Sequence, residues 1–237
     1  MLRRLSLLMF LLAAFLTAGA VTPYSTLETK AGRYSRYGEC ASASAMYTLM
    51  LHERPDLAAV WGHAIAASGL MNDPAEQLEL VRRAVSARIP VDSIIAETRR
   101  ALFEADAPAL YEKFLYNIKE GEPWMNRFID RCLLEHYTFR DNGPGIVTMS
   151  EIMLQGLPDD ERFLYSLAHG QLLCGDVDTA ISTYRRIVGL YPASYKALLY
   201  LGNHYADQGD SEKARDYLSR ALAIRYTPYV EARLSKL

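Results

Sequence analysis

The chain has 237 residues, half of them hydrophobic and 23% charged, with a formal net charge of −2. That length holds one sizeable domain or two small ones, and a faintly acidic balance without basic runs excludes nucleic acid as an expected partner. Three cysteines, Cys40, Cys132 and Cys174, allow at most one internal pair and are too few for a disulfide framework.

Residues 1–20 carry Arg3-Arg4, an apolar run from Leu5 to Leu16, and the small-residue end Thr17-Ala18-Gly19-Ala20. This pattern predicts a secretory signal peptide cleaved after Ala20. Its apolar core of about twelve residues is short of the roughly twenty a bilayer requires. No cysteine sits at the cleavage point, which argues against a bacterial lipid anchor. The expected mature chain carries a charge of −4, because Arg3 and Arg4 leave with the leader. It is expected to be periplasmic or secreted, with no stable membrane span after cleavage; the periplasmic reading assumes a bacterial source.

Residues 21–36, with Pro23, Gly32 and no apolar period, predict a tether. From 37 to 157 the chain reads as helices separated by Pro and Gly breaks, at Arg54-Pro55, Asp73-Pro74, Ile89-Pro90, Asp106 to Pro108, Gly121 to Pro123, Asp141 to Gly145 and Gly156 to Pro158. Asp73 has the chemistry of an N-cap, with Pro74 at the first helical position and Glu76 three residues on. Cys132, Glu135 and His136 share a predicted helix at three- and four-residue spacing, the best arrangement in the chain for thiol chemistry. Cys132 and Cys174, inside apolar helical stretches, are expected to be buried, and Cys40 to be the most accessible. The segment Asp141-Asn142-Gly143-Pro144-Gly145 reads as a connection between two helices.

The last third repeats at a spacing of 34 residues. Leu164 falls on Leu198, Leu167 on Leu201, Gly175 on Gly209, Asp176 on Asp210, Ala180 on Ala214 and Arg186 on Arg220. A fixed period of that size marks a stacked helical array. The glycines predict left-handed helix ends and the aspartates N-caps for the helices that follow. Small residues at Ala168, Gly202, Ala180 and Ala214 predict close helix approach. Residues from Pro228 onward, with Val230 and Leu234 turned inward, predict a capping helix.

These residues resemble the tetratricopeptide repeat. Leu198, Leu201, Gly202 and Tyr205 match the first helix of its pattern, as do Leu164, Leu167 and Ala168, with Gln171 in the aromatic place. Ala180, Tyr184, Ile187 and Pro192, then Ala214, Leu218 and Ala221, follow its second helix. Residues 40–73 echo it more faintly through Ala43, Tyr47, Met50, Pro55, Trp61 and Ala64. The resemblance implies an all-α fold, a right-handed superhelical stack of helix-turn-helix hairpins, with degenerate hairpins over 37–157 and two repeat units plus the cap over 158–237.

The resemblance also implies a binding groove lined by first helices: Arg162, Tyr165, His169 and Leu172, then Lys196, Leu199, Asn203 and Asp207. It would hold a protein or peptide of unknown identity, making the chain a non-catalytic scaffold. Substituting Tyr165 and Lys196 together is expected to weaken capture and leave stability nearly unchanged. No phosphate loop, zinc-binding His-Glu-x-x-His or Gly-x-Ser-x-Gly elbow occurs, so no cofactor and no metal are expected. A self-associating structural subunit, and a thiol enzyme using Cys40 or Cys132 with His136, remain as alternatives.

Overall fold

The computed structural model describes residues 22–237, so the expected leader and its cleavage site lie outside the described residues. The described residues form thirteen α-helices and no strand: α1 (Tyr24–Arg36), α2 (Cys40–Glu53), α3 (Ala58–Leu70), α4 (Pro74–Ser86), α5 (Val91–Glu104), α6 (Ala109–Gly121), α7 (Asn126–Phe139), α8 (Gly143–Gly156), α9 (Glu161–Leu173), α10 (Val177–Leu190), α11 (Tyr195–Asp207), α12 (Ser211–Ile224) and α13 (Pro228–Leu234). A 3₁₀ turn, Pro123–Met125, leads into α7. No helix among the described residues is long and apolar enough to cross a membrane.

The segment expected as a tether is helix from Tyr24 to Arg36. Leu27 and Ala31, four residues apart on one side, are both buried, which gives this polar segment enough of an apolar stripe to dock on α2. The contact pattern divides the chain into two compact units, the first ending at Asn117 and the second beginning at Ile118.

The backbone carries the 34-residue period through nearly all of the described chain. The turns inside the six successive hairpins each hold one residue with positive φ: Gly38, Asn72, Asp106, Asp141, Gly175 and Gly209. Their spacings are 34, 34, 35, 34 and 34 residues. After every one of them the next N–H returns to the carbonyl five residues back, as in Glu39 to Tyr34, Asp73 to Ser68, Ala107 to Leu102 and Asp176 to Gln171. This is the hydrogen-bond closure of a left-handed helix end. Asn and Asp tolerate that conformation better than other side chains, so three turns form without glycine.

Buried residues locate the extra residue of the one longer spacing. From the buried residue twelve positions after a left-handed turn to the large buried position of the next first helix is eleven residues in four cases: Met50 to Trp61, Ala84 to Ile95, Met153 to Leu164 and Ile187 to Leu198. From Ile118 to Asp130 it is twelve, and the 3₁₀ turn lies between them.

In the first unit, α1 packs on α2, α2 on α3, and α3 on both α4 and α5. Gly62 permits the last approach: a Cβ there would lie 2.5 Å from the backbone carbon of Glu97. Trp61 is buried and donates its indole N–H to the Pro55 carbonyl at 2.9 Å. In the second unit each helix from α7 to α12 packs on its successor. The motif residues Leu164, Leu167, Ala168, Ala180, Tyr184, Ile187, Leu198, Leu201, Gly202, Tyr205, Ala214, Leu218 and Ala221 are all buried. Gly202 sits against Leu218, where a Cβ would come within 2.6 Å of its Cγ. Asp176 and Asp210 cap α10 and α12, accepting from Thr179 and Lys213. Asn142 caps α8, so Gly143, Pro144 and Gly145 form its first turn and the connection is shorter than expected.

Candidate functional site

Helical spacing sets Arg162, Tyr165, His169 and Leu172 along one side of α9, and Lys196, Leu199, Asn203 and Asp207 along one side of α11. Arg162, His169 and Lys196 are exposed, and Leu172 and Leu199 are half-buried. Tyr165 is half-buried and committed inside the unit. Its hydroxyl and that of Ser194 share a hydrogen bond of 2.8 Å, and its ring meets Tyr184 edge-on at 6.0 Å. Tyr184 in turn stacks on Tyr200 at 4.2 Å. Burial, then the neighbouring phenols, pushes Tyr184 up to about 12, so these rings act as neutral packing groups. Substituting Tyr165 therefore costs structure, contrary to the expectation of unchanged stability.

Helix α13 engages the far end of the α11 row. Tyr229 donates its hydroxyl proton to Asn203 Oδ1 at 3.2 Å, Arg233 donates to the same oxygen at 3.3 Å, and Arg233 pairs with Asp207 at 2.6 Å.

Moving the α9 row back by the 34-residue period lands on Phe128, Arg131, Glu135 and Thr138 of α7. The sequence alone did not give α7 this register. All four line a cavity of about 820 Å³, together with Arg162, Phe163 and Ser166 of α9, Met153 and Leu157, and Trp124, Arg127, Leu134 and Phe139. Trp124 is 63% exposed and Phe139 71%. The Arg131 guanidinium lies 5.1 Å from the Phe128 ring centre, and that of Arg162 lies 5.6 Å from Phe163. Arg162 is forked onto Asp160, at 3.1 and 2.8 Å, which raises its pKa and lowers that of Asp160. Arg127 and Arg131 have no ion-pair partner among the described residues.

The first unit has a cavity of its own, about 480 Å³, on the corresponding columns. Its walls are rich in alanine, with Glu28, Ser35, Arg36, Cys40, Tyr47, His63 and Glu104 as polar members. Tyr47 stacks on His63 at 5.5 Å and shares a 2.8 Å hydrogen bond with Ser35.

The thiols fall differently from expectation. Cys132 is buried as expected, but Cys174 is exposed and Cys40 only partly so. Cys174 follows the last residue of α9, where the chain turns outward at Gly175. His136 is buried with Cys132, whereas Glu135 faces the cavity, so the three do not form one cluster. Among the described residues no three His, Cys, Asp or Glu side chains come together as a metal site.

The hairpin period, the left-handed turns and the buried motif positions agree with a family model described as tetratricopeptide repeat, which matches residues 171–237. The match is confined to the C-terminal hairpins and the helix that follows them. No curated protein matches the chain. Solved structures of tetratricopeptide repeat proteins are similar at low identity. The C-terminal part of one from Cytophaga hutchinsonii is 12% identical, with a TM-score of 0.48 over 82% of this chain and 77% of that one. One from Parabacteroides merdae is 13% identical, with a TM-score of 0.41 over 94% and 88%. The TPR2AB domain of yeast Sti1, solved as a complex with pHSP90, is 11% identical, with a TM-score of 0.38 over 90% and 97%.

Proposed function

We propose that this chain is an exported, non-catalytic tetratricopeptide repeat module that holds a segment of another protein on the α7 and α9 face of its second unit. The cavity between these helices carries the reading. It has the size of a recognition pocket and a rim of exposed Trp124 and Phe139 beside Phe128 and Phe163. Large exposed aromatics gathered at one concavity mark interaction surfaces, and aromatic residues with arginine supply much of the binding energy of protein interfaces. The leader pattern of residues 1–20 supports export.

Placing a photo-crosslinking residue at Thr138, on the cavity, and separately at Ser182, on the exposed side of α10, tests both parts in the native host. Protein adducts from Thr138 alone, on a chain whose first residue by mass spectrometry is Val21, are expected. Equal adducts from both positions would defeat the binding face, and a retained Met1 would defeat export.

A further inference from the structure

We infer that the occupant of the α7–α9 cavity is an acidic protein segment that carries aromatic or large aliphatic side chains beside its carboxylates. This rests on the reading of that cavity as a protein-binding site and adds its chemistry.

Charge is the first argument. Of the three arginines that line the cavity Arg162 is paired with Asp160, which leaves Arg127 and Arg131 against a single lining carboxylate, Glu135. The nearby acids are otherwise engaged: Asp160 holds Arg162, and Glu122 accepts from the Trp124 indole N–H at 2.7 Å. Arg127 and Arg131 are exposed and lack an ion pair among the described residues, in a chain whose overall charge is −2. A basic cluster on an acidic molecule is a local field, and it favours carboxylates over other side chains.

Geometry is the second. Arg131 and Arg162 lie over Phe128 and Phe163, so ring faces hold the guanidiniums by cation–π attraction. The N–H edge of Arg162 is taken by Asp160, whereas that of Arg131 remains to donate in pairs to a carboxylate, the arrangement in which arginine binds acids most strongly. Trp124, Phe139 and Leu157 supply apolar surface at the same concavity, which a purely acidic segment would leave uncovered. The same inventory disfavours a nucleic acid, which requires a longer basic track than three arginines.

Selection of short random peptides on the purified chain, followed by sequencing of the bound pool, tests the inference. The expected pool is enriched in Asp and Glu next to Phe, Trp, Leu or Ile. A synthetic peptide from that pool should change tryptophan fluorescence in a way that Trp124→Phe abolishes. The double variant Arg127→Glu, Arg131→Glu, with unchanged helical circular dichroism, should bind it about tenfold or more weakly, since close charge pairs are removed. Binding of the pool peptide should also weaken with salt. A pool without acidic enrichment, or one indifferent to charge reversal, would overturn the inference and leave the broader reading standing. A chain that selects no peptide would sink both. An oligothymidylate that binds and is lost on charge reversal would assign the cavity to nucleic acid.

Discussion

The two units share one backbone plan and put different chemistry on the same columns. In the first unit the groove columns hold Glu28, Gly32 and Ser35 on α1 and Ala59, Gly62, Ala66 and Gly69 on α3, and the cavity there is smaller and rich in alanine. In the second they hold Phe128, Arg131 and Glu135, then Arg162, Tyr165 and His169, and the cavity is wide, aromatic and basic. The period therefore specifies where side chains stand and leaves open what they are. Architecture and binding chemistry are separable in this chain.

The largest expected effect lies where the second unit departs from the plan. At the large buried position of each first helix stand Leu27, Trp61, Ile95, Leu164 and Leu198, but in α7 it is Asp130, paired with Lys119. Removing one partner of such a pair strands a buried charge at a cost of roughly 3–5 kcal/mol. Lys119→Met should lower the denaturation midpoint sharply, and adding Asp130→Leu should recover most of the loss. If the double variant is no better than the single one, the ion pair is not what fills this position.

The next effect separates the units by what each close approach meets. Gly62→Ala presses a methyl group into the Glu97 backbone of α5, which cannot turn aside, and overpacking of this kind costs about 1–3 kcal/mol. Gly202→Ala meets mainly the Leu218 side chain, which can move, so its melting temperature should fall less. The reverse ranking would show that α3 and α5 have room to separate.

These contrasts explain what could be read in the sequence. The last two full hairpins were legible because each marker has its usual residue: glycine at the left-handed turn, aspartate after it, alanine at the close approach. In the three hairpins before them the turn residue is Asn72, Asp106 or Asp141, and Asp130 takes an apolar place. The close approach is made by other pairs, such as Gln77, whose amide donates to the Ile65 carbonyl at 3.3 Å, or Arg99, stacked on Tyr111. The contacts are kept while the residue types change, so pattern matching loses the register between 91 and 157. That loss hid the register of α7, and with it seven of the residues lining the wider cavity. Of the eight groove residues read from the sequence only Arg162 lines it, and Tyr165, Asn203 and Asp207 are engaged within the unit.

A smaller effect follows at the turns. Gly175→Ala places a Cβ at φ +78°, which costs about 1–2 kcal/mol. Asp106→Gly relieves similar strain, but glycine gives up more chain entropy on folding, roughly 0.5–1 kcal/mol, so the net change should be slight. Urea midpoints of the two variants test this asymmetry, and a large stabilisation from Asp106→Gly would mean that the aspartate turn is more strained than its φ of 53° implies.

The smallest effect is the response to pH, on the acid side in the first unit and on the alkaline side in both, since burial raises Tyr47 as well as Tyr184. In the first, His63 of α3 stacks on Tyr47 of α2 and faces Glu104 of α5 at 3.8 Å. Burial holds its pKa below the usual histidine value, Glu104 and Glu97 oppose that shift, and Arg100 reinforces it. The unfolded chain then takes up the proton first as pH falls through about 6.5, so stability is complete above that pH and declines below it until the folded pKa is passed. In the second unit, burial raises Tyr184 to about 12; stability is complete below about 10 and declines as pH rises from there to 12. The two tryptophans, Trp61 and Trp124, report the units separately. With Trp61 as sole reporter in Trp124→Phe, the denaturation midpoint should fall between pH 7.5 and 5.5, and His63→Gln should flatten that slope. A slope that survives His63→Gln would assign the acid sensitivity to other groups.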